Sequence, residues 1–112
     1  NSLVTIRISD QVIASVAHAS TLHVKVIYAM DDRFSHAISS VINDEETRGI
    51  RVSIDNKSIV VDLYVAVYHG DRIPAIALNL QEIVKEEILD SAGIRVTAVN
   101  VNVQKVVFDK ER

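Results

Sequence analysis

The chain has no cysteine and no tryptophan, a single proline and only three glycines. Without cysteine there is no disulfide staple, no thiolate metal site and no thiol nucleophile. The absence fits a reducing compartment. Aromatic residues make up 4% of the chain, too few for the stacked platforms that hold single-stranded nucleic acid. A basic excess is missing too: 15 acids stand against 12 bases, a net charge of −3. Phosphate backbones are bound through clustered Lys and Arg, so no nucleic-acid partner is expected. No apolar run approaches the roughly 20 residues of a bilayer span, and no signal-peptide pattern is visible. The expectation is a soluble cytoplasmic protein with no direct membrane insertion.

What is present is a large aliphatic fraction. Hydrophobic residues are 48% of the 112 positions, mostly Val, Ile, Leu and Ala, a mix suited to strands and small-faced helices. The length fits one domain over residues 1–112 with one modest core.

Periodicity supplies the elements. "LVTIRIS" (Leu3–Ser9) alternates as a strand does. Ser9 then stands as N-cap before Val12, Ile13, Val16 and Ala17, whose spacing predicts a helix from Asp10 to about Leu22. "HVKVIYAM" (His23–Met30) alternates again. In Asp31–Asn43, Phe34, Ile38 and Ile42 recur at helical spacing, so a short amphipathic helix is expected there. "IRVSI", a "DNK" turn and "SIVVDLYVAVY" predict a hairpin over Ile50–Tyr68. In it Ile59, Val61, Leu63, Val65 and Val67 face one way, and Val60, Asp62, Tyr64, Ala66 and Tyr68 the other. Pro74 opens a second main helix, with Ile76, Leu80, Ile83, Val84 and Ile88 as its apolar stripe to Ser91, and Gly93 sits at the C-cap position. Arg95–Phe108 alternates as a final strand, Val99, Val101 and Val103 opposed to Asn100, Asn102 and Gln104.

The order β-α-β-(α)-β-β-α-β predicts an α+β, two-layer fold: a mixed sheet of about five strands with two main helices on one face. A strand–helix–strand crossover makes the last two strands parallel. The other face carries Tyr64, Tyr68, Asn100, Asn102 and Gln104, the candidate interaction residues.

Catalytic constellations are weak. "VYHGDRIPAIALNLQ" (Val67–Gln81) places His69 and Asp71 around Gly70. No Ser or Cys nucleophile lies near, and the glycine, the acid and Pro74 are already explained as a strand-to-helix turn. His18, His23, His36 and His69 show no i,i+4 or HxH metal spacing. Asp31, Asp32, Asp44, Glu45 and Glu46 fit no calcium-loop pattern. Gly49, Gly70 and Gly93 stand singly, so there is no phosphate-cradling loop. The sequon "NKS" (Asn56–Ser58) reads as the hairpin turn. No catalytic residue, cofactor or metal site is expected.

Several stretches together resemble the alkaline shock protein family, the envelope stress response proteins of Gram-positive bacteria. They are "ISDQVIASVA" (Ile8–Ala17), "TRGIRV" (Thr47–Val52), "VVDLYVAVYHGDRIPAIALNLQEIV" and "GIRVTAVNVNVQKVVF". The ordered set "VDLYV", "YHG", "IP", "NLQ" and "VNVNVQ" is its most specific part. The chain departs from the family at "IYAMDDRFSHAISSVINDEE", where members often carry a glycine-rich segment and this sequence has no glycine. The resemblance implies a small, non-enzymatic cytoplasmic protein, held at the membrane in some relatives by a small membrane-anchored partner, and in others encoded near a kinase-like protein.

Two functions follow as expectations. One is an interaction scaffold, a homo-oligomer that docks on a membrane-anchored or metabolic partner. The other is an accessory module for a small ligand or for lipid metabolism, favoured by a pocket lined with Phe34, Ile38 and Ile42.

Overall fold

Ser9 opens the first helix by supplying what a helix start lacks. Its backbone is extended (φ −80°, ψ 160°) and its hydroxyl accepts the Val12 N–H at 3.3 Å. The helix, α1, spans Asp10–Thr21. The computed structural model to which it belongs describes residues 6–24, 27–30 and 49–108. α1 buries Ile13, Ala14 and Ala17, the positions its periodicity marks. The buried Ser20 and Thr21 hydroxyls donate to the Val16 and Ala17 carbonyls one turn back, at 2.7 and 2.8 Å, so neither leaves a polar group unsatisfied.

Four strands follow: β1 (Ile27–Met30), β2 (Ile50–Ile54), β3 (Ile59–Tyr68) and β4 (Ala98–Val107). Between β3 and β4 runs the second helix, α2 (Ile73–Ala92). Pro74 sits in its first turn, where no N–H is required, and Gly93 ends it in the left-handed conformation at φ 71°, its N–H donating to the Leu89 carbonyl at 2.9 Å.

β3 is the centre of the sheet. Along one edge β2 pairs antiparallel with Ile59–Leu63, and β1 pairs antiparallel with Val65–Val67. The two short strands thus share one edge end to end. The other edge belongs to β4, which runs parallel to β3 from Val60↔Ala98 to Tyr68↔Val107. The sheet is mixed, as expected, but its described part has four strands in three lanes rather than five strands.

The expected strand at Leu3–Ser9 accounts for the difference. Residues 6–9 form no strand, and Leu3–Thr5 lie outside the described residues. Alternation gives a segment strand propensity, but a strand exists only against a hydrogen-bonded neighbour. The expected start of the next strand at His23 is also displaced. The His23 and Val24 N–H groups close the end of α1, donating to the Ser20 and Thr21 carbonyls at 3.2 and 3.0 Å, and cannot serve a ladder as well. The expected helix over Asp31–Asn43 lies outside the described residues.

Both helices lie on one face of the sheet, α1 against β2 and α2 against β4, and they pack on each other. The core between the layers joins Ile13, Ala14 and Ala17, the β3 residues Val61, Leu63, Val65 and Val67, and the α2 stripe Ile76, Leu80, Val84 and Ile88. Ile50, Val52 and Val99 complete it from the flanking strands.

β4 contains one irregularity with a clear cause. Val65 pairs with Val103, but Ala66 pairs with Lys105, so Gln104 has no opposite number on β3. Strict alternation from Val99 would set Lys105 on the helix face and Val106 outside. The extra residue reverses the phase, setting Val106 opposite Val67 and packing it against the core.

Candidate functional site: the outer face of the sheet

The face of the sheet away from the helices is built from the even positions of β3 and their neighbours. The register sets Arg51, Asp62 and Asn100 in one row across three strands, and Tyr64 beside Asn102 in the next. Asn100 is exposed, and its amide donates to Asp62 Oδ1 at 3.0 Å. Asn102 is half-buried and donates to the Leu63 carbonyl at 3.1 Å. Both amides are therefore fixed, with their remaining donors and acceptors still available.

The five expected interaction residues are brought to this region but are not equally accessible. Tyr64 is buried, with 9% of its surface exposed. It offers little surface to a partner. Tyr68 and Gln104 are half-buried, Gln104 at the register shift. Asn100 alone of the five is exposed, and Asn102 is half-buried like Tyr68 and Gln104.

Sequence reasoning did not single out Arg51. Its Nε is buried and finds no hydrogen-bond partner among the described residues, although Asp62 stands opposite on β3 and gives one oxygen to Asn100. A charged residue at a face position of a short aliphatic strand was the available signal.

The turn after β3 holds His69, Gly70 and Asp71. His69 is exposed, and its ring stacks on Phe108 with centroids 4.4 Å apart and planes 24° off parallel. The Asp71 N–H donates to the Tyr68 carbonyl at 3.3 Å. Gly70 has φ +96°, and a Cβ added there would meet only open space, so its requirement is conformational rather than steric. These roles are those of a turn.

The hairpin turn containing the sequon is organised by Asp55. One of its carboxylate oxygens accepts from the Lys57 N–H, the Ser58 N–H and the Ser58 hydroxyl at 2.9, 2.9 and 3.1 Å. The two backbone N–H groups, then the hydroxyl, hold its pKa below the ordinary carboxylate value.

Among the described residues no group of three His, Asp or Glu side chains is placed to hold a metal ion. His36 and the acids at 31, 32 and 44–46 lie outside them, as do Phe34, Ile38 and Ile42 of the expected ligand pocket. The depression on α2 lined by Asn79, Glu82, Ile83, Lys85, Glu86 and Leu89 is shallow and open. No described helix is long and apolar enough to cross a membrane.

Comparison with known proteins agrees with the resemblance in the sequence. A model of the ASP23 (alkaline shock protein) family, described as having cell envelope-related function, matches residues 1–108. The uncharacterized protein YloU of Bacillus subtilis (strain 168) is 31% identical over 104 residues, which is 90% of this chain and 87% of the relative. The uncharacterized protein Spy1614 of Streptococcus pyogenes serotype M6 is 29% identical over 104 residues, 90% of this chain and 86% of the relative. YqhY of B. subtilis, also an uncharacterized protein, is 22% identical over 105 residues, covering 93% and 78%. No solved structure matches.

Proposed function

The chain belongs to the alkaline shock protein family, whose function is related to the cell envelope, and from that premise we propose that it is a non-enzymatic cytoplasmic scaffold of the envelope stress response. It self-associates and docks on a membrane-anchored or metabolic partner. The observation that carries this reading is the outer face of the sheet. Asn100 and Asn102 are held in place by Asp62 and the Leu63 carbonyl, so a partner meets amides already ordered and little side-chain entropy is lost on contact. Polar, ordered groups on a broad strand surface suit protein contact better than enclosure of a small molecule. The net charge of −3 opposes self-association only weakly.

Sedimentation and light scattering at micromolar concentration test self-association. The expected result is a concentration-dependent oligomer weakened by Asn102→Lys, which sets an ammonium on the contact face. Capture of native protein from membrane and cytosol fractions tests docking. A strict monomer that recovers no partner from either fraction would overturn the scaffold reading.

A further inference from the structure

The outer edge of β4 pairs with no strand among the described residues. Which of its backbone groups point outward follows from the ladder. The Tyr64 N–H donates to the Gly49 carbonyl, so even residues of β3 bond toward β2 and odd ones toward β4. With Leu63 level with Val101 in a parallel ladder, the groups of Ala98, Asn100 and Asn102 bond inward. Those of Val99, Val101 and Val103 point away from β3. The Gln81 side chain of α2 donates to the Val99 carbonyl at 3.0 Å, leaving five outward N–H and C=O groups without a partner among the described residues. Backbone groups of this kind are a template for another strand.

The sequence of that edge is Val99-Asn100-Val101-Asn102-Val103. It reads the same in both directions about Val101. An antiparallel two-fold pairing reverses one strand against the other, so a palindromic strand meets its own complement at every position.

We propose that two copies of this chain pair through β4, antiparallel and centred on Val101, forming one continuous sheet across both. This rests on the self-association reading above and assigns it a place. On the helix face Val101 meets Val101 of the second copy, and Val99 meets Val103. On the outer face Asn100 meets Asn102, and the reciprocal pair repeats the contact. Each amide already gives one N–H to its own chain and keeps an N–H and an oxygen for its opposite number. Sliding the register by two residues ends this match, setting Val103 against Thr97 and running the copy into the shift at Gln104. The second strand arrives already ordered, unlike a disordered peptide, which must be ordered on binding. Both copies keep their helices on the same face, because opposed residues of an antiparallel pair share a face.

The test uses the chain's lack of cysteine. Val101→Cys places one thiol per copy on the two-fold axis, where opposed Cα atoms lie about 5.5 Å apart, within disulfide range. Val103→Cys places its thiols about 13 Å apart along the strands, out of range. Mild oxidation is expected to cross-link the first and not the second. Hydrogen exchange read at several protein concentrations supplies an independent measurement. Protection at the Val99, Val101 and Val103 amides is expected to rise with concentration. Val101→Pro removes an outward N–H while leaving the β3 ladder intact, and is expected to weaken association at least about tenfold with an unchanged far-ultraviolet spectrum. An oligomer whose three amides stay unprotected, or whose Val103→Cys variant cross-links as readily as Val101→Cys, overturns the edge assignment and leaves self-association standing. A strict monomer overturns both.

Discussion

Leu80 is the most direct probe of the layer contact. It sits midway along α2, fully buried, in one cluster with Val61, Leu63 and Val65 of the central strand. Leu80→Ala removes three carbons. At about 0.8 kcal/mol per buried carbon the transfer loss is about 2.4 kcal/mol. The cavity left behind adds about 1–2 kcal/mol at about 24 cal/mol per Å³, because both layers are held by their own hydrogen bonds and collapse only partly. The expected destabilisation is therefore about 3–4 kcal/mol. At roughly 4 °C per kcal/mol for a domain of this size, the midpoint falls by about 12–16 °C. Leu78, two residues earlier and 57% exposed, is the control, and Leu78→Ala is expected to stay within about 0.5 kcal/mol. Urea unfolding followed by circular dichroism, on dilute protein so that association does not contribute, measures both. A Leu80→Ala loss below 1 kcal/mol, or equal losses for the two variants, would refute the assignment of the Ile76–Ile88 stripe to the sheet contact.

Gly70→Val is expected to lower stability by about 1–3 kcal/mol, since φ +96° is a conformation a β-branched residue rarely adopts. His69→Ala next to it is expected to stay below about 1 kcal/mol, as only an exposed ring stack is lost. Thermal melts of the two variants check the ranking, and a loss of function in His69→Ala without a change in melting would reopen the question of catalysis. The lowered pKa of Asp55 gives a pH signature. A depressed folded-state pKa contributes stability above the unfolded value, about 3.9, that disappears as pH falls through the folded one. Asp55→Ala should remove that acid-side slope and leave the shape of the curve above pH 5 unchanged. Tyr64→Glu is expected to lose several kcal/mol by burying a carboxylate, so folding and not oligomerisation should fail first. A folded, fully stable Tyr64→Glu would mean that this ring is more accessible than its 9% exposure indicates.

What the sequence made legible was whatever depends on local period and caps. Ser9, Pro74 and Gly93 each mark a helix boundary that one residue type satisfies, and the structure uses them so. The parallel placement of β3 and β4 followed from crossover geometry alone. Residues 6–9 and His23 departed from the expected strands for one shared reason. Their alternation matched a strand, but pairing is a non-local property, and the His23 N–H was already committed to the end of α1. The outer face was legible as a set of positions but not as a set of accessibilities. The even residues of β3 were correctly placed together, yet burial of Tyr64 depends on what packs over it, which no two-residue period reports. Arg51 escaped notice because its significance lies in its place opposite Asp62 and Asn100, a relation set by register.

Gln104 allows a sharper test of how register is set. Deleting one residue from the middle of a strand normally turns every later side chain to the wrong face. Here deletion of Gln104 should do the reverse. Val103 already pairs with Val65, Lys105 with Ala66 and Val106 with Val67. Removing the unpaired residue makes those pairs consecutive and leaves Val106 on the core and Lys105 outside. The deletion is expected to fold, with stability within about 1 kcal/mol of the parent, no more than a typical single substitution changes. Deletion of Asn102 offers the contrast. It removes a residue paired with Tyr64 and bonded to the Leu63 carbonyl, and sets Val103 to the outer face unless the ladder shifts, so it should lose several kcal/mol. The same deletion of Gln104 bears on association. Irregular residues and lysines blunt exposed strand edges, and the irregularity at Gln104 ends the flat part of β4 just beyond Val103. A straightened β4 should therefore associate more tightly than the parent. Melting and sedimentation on the two deletions decide the matter: if loss of Gln104 unfolds the chain as loss of Asn102 does, the extra residue is a required part of the sheet and not a correction of phase.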